Sequence, residues 1–188
     1  RARRTNRCQY RRKIVPPNSI RTFARFVRLL AVVLLAALAR ADVVINEIMY
    51  HPSSERTTEE YVELHNTGVN PVNLGGWSFT SGISYTFPNA TLPAGGYLVV
   101  AADRAAFAAK YPAVANSVGG WTGRLSNSAD ALVLTDNLGT RIDQVRYADD
   151  GDWAVRERDD VDDGHRGWRW RSQADGFGRS LELINAAF

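Results

Sequence analysis

The chain has 188 residues, of which 45% are hydrophobic and 23% are charged, with a formal net charge of +3 and a single cysteine. The charge is unevenly divided: residues 1–41 carry eleven basic side chains and no acidic one, whereas residues 42–188 carry twelve basic and twenty acidic side chains. The part expected to fold is therefore acidic, which argues against a basic nucleic-acid-binding domain, because such domains cluster Lys and Arg on the folded surface.

Residues 1–41 have the three-part organisation of a secretory signal peptide. An Arg-rich stretch ends at Arg28, an unbroken apolar run covers Leu29–Ala39, and small residues at Ala39 and Ala41 precede Asp42. The run is too short to cross a membrane, which takes about 20 helical residues. We predict an N-terminal hydrophobic signal helix and export to the periplasm, the cell surface or the medium, with membrane contact only during export.

Three alternatives remain open for this leader. It could be an uncleaved membrane anchor or a buried helix, and Arg11-Arg12-Lys13 resembles a twin-arginine signal although it lies far from the apolar run. Cys8 also lies in the leader. Residues 42–188 therefore cannot form a disulfide, a thiolate metal site or a Cys nucleophile.

The remainder of the chain has the pattern of an all-β domain. Its short segments are rich in β-branched and aromatic residues, and several alternate between apolar and polar positions. In one of them Val62 and Leu64 would face inward, with Tyr61, Glu63 and His65 facing outward. The predicted strands are Val43–Tyr50, Tyr61–Asn66, Trp77–Thr80, Tyr97–Ala102, Ala131–Thr135, Arg141–Tyr147 and Ser180–Ile184.

One segment has a helical pattern, Asp103–Tyr111, in which Asp103 can cap the start and Pro112 ends the helix. The turn at Asp136–Gly139 joins two alternating segments and predicts a β-hairpin. Strands at this spacing with one short helix favour an antiparallel β-sandwich of immunoglobulin-like type.

Several motifs, in this order and at this spacing, resemble the lamin-tail domain family in its bacterial exported form. They are Val44–Pro52, Glu60–Asn66, Val72–Trp77, Leu92–Val100, Gly123–Asn127 and Ser180–Asn185. The resemblance covers residues 42–188 and implies an immunoglobulin-like β-sandwich that serves as a non-catalytic interaction module, often beside other modules in large exported proteins. Since the similarity ends close to Phe188, the chain is compatible with the N-terminal part of a longer protein.

No catalytic motif accompanies this pattern. The sequence contains no G-x-S-x-G, no H-E-x-x-H and no phosphate-binding glycine loop. Its three histidines, His51, His65 and His165, are better explained as surface or capping residues than as catalytic bases, and His65 as a polar contact beside Glu63. We therefore predict that the chain is not an enzyme.

An acidic tract, Asp149–Asp163, is a candidate calcium site, because Ca²⁺ prefers carboxylate oxygens. The candidate ligands are Asp149, Asp150, Asp152, Asp160, Asp162 and Asp163. The spacing does not fit the calcium loop of an EF-hand, because Val161 occupies a ligand position. The alternative is a solvated loop whose acids are neutralised by Arg156, Arg158 and Arg166.

A second candidate site follows in Gly167–Arg171. In an extended conformation Trp168 and Trp170 share one face, and Arg169 and Arg171 share the other. Exposed indoles stack on sugars or bases while guanidinium groups bind anions. The alternative is that the indoles close one end of the sandwich and the arginines pair with the preceding acids.

These observations favour a secreted or cell-surface interaction module that binds a protein, a glycan or an envelope polymer. We expect no cofactor other than calcium, and we do not expect nucleic acid as a partner. The alternative function is an accessory binding domain of an exported hydrolase, a nuclease or a phosphatase, whose catalytic module lies beyond residue 188.

Overall fold

The computed structural model describes residues 43–162 and 165–184, and it describes residues 161, 162, 165 and 166 by their backbone alone. The predicted signal segment, residues 1–41, lies outside the described residues. Within the described ranges, no helix has both the length and the apolar character needed to cross a membrane.

Two five-stranded sheets form most of the domain, with strands numbered in chain order. The first sheet has the spatial order β14 (Leu181–Glu182), β1 (Val43–Met49), β2 (Tyr61–Asn66), β7 (Tyr97–Ala101) and β8 (Ser117–Gly119). The second has the order β11 (Arg141–Ala148), β10 (Ala129–Thr135), β4 (Ser78–Ser81), β5 (Ile83–Thr86) and β9 (Thr122–Gly123). The predicted all-β class is therefore confirmed for the described part of the chain.

Two smaller pairs and three short helical segments complete the described fold. The pairs are β3 (Val72–Asn73) with β6 (Thr91–Leu92) and β12 (Val155–Asp162) with β13 (His165–Arg171). The helix α1 spans Arg104–Lys110, and 3-10 turns span Thr57–Glu59 and Gly151–Trp153. The predicted helix is confirmed, since the Asp103 side chain accepts hydrogen bonds from the amides of Ala105 and Ala106.

The hydrophobic core lies between the two large sheets, where apolar residues from both inner faces meet. In β2 the predicted alternation is confirmed, since Val62 and Leu64 are fully buried. The core also contains Val43, Ile45, Ile48, Phe79, Ile83, Val100, Leu132 and Leu134. Across one edge of the sandwich, Asp143 accepts a hydrogen bond of 2.7 Å from the Ile45 amide and so links β11 to β1.

The outer face of the first sheet differs from the prediction at one end. Tyr61, expected to face solvent, is 92% buried because α1 covers it, and its ring centroid lies 5.4 Å from that of Phe107. The covering element comes from 40 residues further along the chain, so the alternation within β2 does not reveal it. His65 faces outward as expected and stacks on the Tyr97 ring with centroids 4.2 Å apart.

One strand departs from the antiparallel prediction. The strand β8 pairs with β7 in parallel, because α1 intervenes between them and carries the chain back across the sheet. Gly119 makes this close pairing feasible: a Cβ placed there would lie 2.1 Å from the Ala101 carbonyl oxygen, and its φ is +155°. The β-hairpin expected around Asp136–Gly139 is confirmed as the connection between β10 and β11.

The acidic tract also differs from the loop that was expected there. Residues 155–162 form β12, which pairs with β13 and with neither large sheet. Both strands are rich in charged side chains, and such composition is more typical of loops. Cross-strand pairing, which a single segment does not reveal, provides the missing stabilisation.

A fully buried amide, Asn66, holds the end of β2 against the connection between β6 and β7. Its Nδ2 lies 2.8 Å from the Asn70 carbonyl oxygen, 3.1 Å from that of Leu92 and 3.0 Å from that of Pro93. Its Oδ1 accepts a hydrogen bond from the Gly68 amide. Removing this side chain would take this donor from the buried Leu92 carbonyl and the partly buried Asn70 carbonyl, whereas the Pro93 carbonyl still accepts from the Gly96 amide. A buried polar group left without a partner costs about 1–3 kcal/mol.

We therefore expect Asn66→Ala to lower the free energy of unfolding by about 3 kcal/mol. The matched control is Asn70→Ala, because Asn70 is exposed and contributes only its backbone carbonyl to this cluster. Urea unfolding measures both variants. Equal stability of the two variants would contradict the role assigned to Asn66.

Candidate binding surface

The hairpin of β12 and β13 brings the predicted aromatic residues to a solvent-exposed face. In the antiparallel register Arg156 lies opposite Trp170, and Arg158 lies opposite Trp168. Residues directly opposite each other in an antiparallel pair share a face. These four side chains therefore form one surface, which we call the Trp–Arg face.

The indoles of the Trp–Arg face are half exposed: the exposed fraction is 50% for Trp168 and 48% for Trp170. The alternative in which they close one end of the sandwich is therefore wrong. Two guanidinium groups pack on the Trp168 ring, with the Cζ of Arg156 4.7 Å and the Cζ of Arg158 4.4 Å from its centroid. Such cation–π contacts contribute about 0.5–1 kcal/mol each at exposed sites.

The opposite face of the hairpin is ion-paired. Arg169 Nη1 lies 3.4 Å from Asp159 Oδ1, and Arg171 Nε lies 3.7 Å from Glu157 Oε2. Arg171 also packs on the Phe177 ring, with its Cζ 5.1 Å from the ring centroid. The expectation that these two arginines pair with preceding acids is confirmed, and the structure places them on the face away from the indoles.

Arg156 and Arg158 were missed by sequence reasoning, which assigned them to neutralise nearby acids. In the part of the chain with described side chains they form no ion pair and contact Trp168 instead. The signal was present in the alternation of Val155-Arg156-Glu157-Arg158, but only the register with β13 shows which residues these arginines meet.

Exposed apolar side chains concentrate in this region. Of ten large apolar side chains exposed in the described part, seven lie between residues 153 and 184. They are Trp153, Val155, Trp168, Trp170, Phe177, Leu183 and Ile184. They lie on both faces of the hairpin and in the segments beside it, since Val155 is opposite Arg171 whereas Trp168 and Trp170 are on the other face. Exposed aromatic residues are enriched at interaction surfaces.

The calcium candidates are spread along this segment. Asp149, Asp150 and Asp152 surround the second 3-10 turn, whereas Asp160 lies in β12. Among the described residues, no three His, Cys, Asp or Glu side chains are grouped closely enough to hold a metal ion. The side chain of Asp162 and the whole of Asp163 lie outside the described residues, so calcium binding stays a prediction.

At the base of the hairpin, His51 joins two distant segments. Its Nδ1 lies 2.6 Å from Asp175 Oδ1, and its Nε2 lies 2.9 Å from Glu55 Oε2. Although partial burial alone would lower the pKa of His51, the hydrogen bonds to Glu55 and Asp175 outweigh it and raise the pKa above its ordinary value. Both ring nitrogens face carboxylates, so neither has a free lone pair that could accept a proton from a substrate. The role of His51 is therefore to link the segment after β1 to the segment after β13.

A polar groove of about 600 Å³ lies beside His51, with Glu55, Arg124, Ser126 and Asp175 in its lining. Behind it lies Glu60, which is 1% exposed and accepts a 2.9 Å hydrogen bond from the Leu125 amide. Burial raises the pKa of Glu60 to about 7, and the Leu125 hydrogen bond and the charge of Arg124 only partly oppose this effect. Near neutral pH this buried carboxyl is therefore partly protonated.

Comparison with protein families gives one match: the model described as the lamin tail domain matches residues 36–149, more than half of the chain. No curated protein matches the sequence. The match includes the large sheets from β1 to β11 and ends before the hairpin. Strand β14 lies beyond the match, yet it pairs with β1 and belongs to the first sheet.

The protonation of Glu60 predicts how stability depends on pH. Because its pKa is higher in the folded chain than in the unfolded chain, the folded state binds the proton more tightly, and stability falls as pH rises from about 4.5 to about 7. The loss is on the order of 3 kcal/mol. The His51 contribution has the same sign, but it is fully present below about pH 6.5 and is lost only above that.

We expect Glu60→Gln to reduce the fall in unfolding free energy between pH 5 and 6.5, while retaining an acceptor for the Leu125 amide. Urea unfolding at several pH values measures this slope, with Glu157→Gln on the exposed hairpin as the control. A slope in Glu60→Gln identical to that of the unmodified chain would show that Glu60 does not titrate in this range.

Proposed function

The chain belongs to the lamin tail domain family, and we propose that it is an exported, non-catalytic module that binds a protein or glycan partner through the Trp–Arg face. Immunoglobulin-like sandwiches commonly bind their ligands through loops or hairpins outside the core. The hairpin of residues 155–171 has this position, since it pairs with neither large sheet.

The observation that carries the proposal is the exposure of two adjacent indoles. Each indole is half exposed, so it contributes less to the stability of the fold than a fully buried ring would. Trp and Arg are also the residues most enriched among those that dominate binding energy. The Trp–Arg face combines both types without any ion-paired acid among its described side chains.

Two further features support a binding role. The tie between His51 and Asp175 anchors the chain soon after β13, and a parallel bridge joins the backbones of the same two residues. The hairpin is thereby held at its base, which reduces the entropy lost when a partner binds. The leader pattern of residues 1–41 supports export, which places the module where extracellular partners are present.

We expect the double variant Trp168→Ala/Trp170→Ala to lose binding to any partner found on an array of glycans and extracellular proteins, while its urea unfolding stays cooperative. Leu138→Ala is the matched control, because Leu138 is 85% exposed on the turn between β10 and β11. Retention of all binding by the double variant, or absence of any partner for the unmodified chain, would refute the proposal.

A further inference from the structure

The Trp–Arg face divides into two parts with different chemistry. Both guanidinium groups lie on Trp168, whereas no described cation packs on the Trp170 ring. Trp170 is therefore an open aromatic platform, and Arg156 and Arg158 beside it are a cationic pair oriented by Trp168. A ligand that uses both parts needs a flat apolar surface and an anionic group on the same small unit.

We propose that this face binds an acidic polysaccharide, one sugar ring stacking on Trp170 and its carboxylate meeting Arg156 and Arg158. This inference rests on the proposed function and specifies the ligand class of the same face. Guanidinium groups bind planar carboxylates in a bidentate manner, and they keep their charge at every physiological pH. Packing on Trp168 restricts their motion, which lowers the entropic cost of binding.

Nucleic acid fits the same face less well. Binding of single strands uses several aromatic platforms along a continuous basic groove. The hairpin offers one open platform, Trp170, and the cations on this face whose contacts are described are Arg156 and Arg158 alone, which do not make a continuous basic groove. Residues 42–188 carry a formal charge of −8, so the attraction of any anionic ligand to this face depends on the local cations Arg156 and Arg158.

A direct test measures binding of the purified chain to oligomers of galacturonic acid by tryptophan fluorescence and calorimetry. Neutral glucose oligomers of equal length and oligothymidylate are the comparison probes. We expect the uronate to bind at least about tenfold more tightly than the neutral oligomer, because charge-assisted hydrogen bonds are lost with the carboxylates. Binding should weaken with added salt.

Two charge-matched variants separate the faces of the hairpin. Arg156→Gln/Arg158→Gln should raise the Kd for the uronate about tenfold or more. Arg169→Gln/Arg171→Gln removes the same charge from the ion-paired face and should change the Kd by no more than about twofold. Trp170→Ala should abolish binding, and Trp170→Phe should restore part of it, which shows that the ring acts as a platform.

The outcomes distinguish this inference from the proposed function. Equal binding of neutral and acidic oligomers, equal effects of the two arginine double variants, or no uronate binding at millimolar concentration would overturn the acidic-glycan inference. If oligothymidylate or a protein partner binds instead and depends on Trp170, the inference fails while the binding function stands. If Trp168→Ala/Trp170→Ala alters no binding at all, both fail.

Discussion

The two large sheets form the hydrophobic core between them, and the rest of the structure depends on this packing. Segments outside the two sheets can therefore keep apolar side chains at the surface. The fully packed members of the main core lie between Val43 and Tyr147, with Ala174 as the exception. Among the hairpin side chains that the structure describes, none belongs to that core. Because Trp168 and Trp170 are not part of that core, they can remain at the surface without a large loss of stability.

The charge of the hairpin also differs from that of the folded part as a whole. The acidic surplus belongs to the folded part as a whole, yet the Trp–Arg face presents two guanidinium groups that pack on an indole, while Arg169 and Arg171 pair with acids behind it. The net charge of the folded part is therefore a poor guide to which ligand binds at this surface. Within a Debye length of about 8 Å, the local arrangement decides which ligand binds.

The anchoring of the hairpin links the binding surface to the sandwich. His51, two residues after β1, contacts Asp175, only four residues after β13, and also contacts Glu55. Nearby, the buried Glu60 carboxylate accepts a hydrogen bond from the Leu125 amide and so holds the loop that contains Leu125. Both groups have raised pKa values, so this end of the domain is most stable in mildly acidic conditions.

The sandwich can be predicted from the sequence, because the alternation of apolar and polar residues in strands such as β2 shows which side chains are buried. It reached the helix because Asp103 and Pro112 are local signals. It missed β12, whose side chains face solvent on both sides, and the burial of Tyr61 by α1, since these depend on distant partners. For the candidate site it found the shared face of Trp168 and Trp170 from their spacing, but not Arg156 and Arg158, which only the cross-strand register brings to the same face.

Hydrogen–deuterium exchange of the chain, with and without oligogalacturonate, locates the segment that binds the ligand. Added ligand should slow exchange in residues 155–171 and leave exchange of the amides in the two large sheets unchanged. Protection confined to the polar groove around Arg124 and Ser126, or spread over the sandwich with the hairpin unaffected, would contradict this expectation.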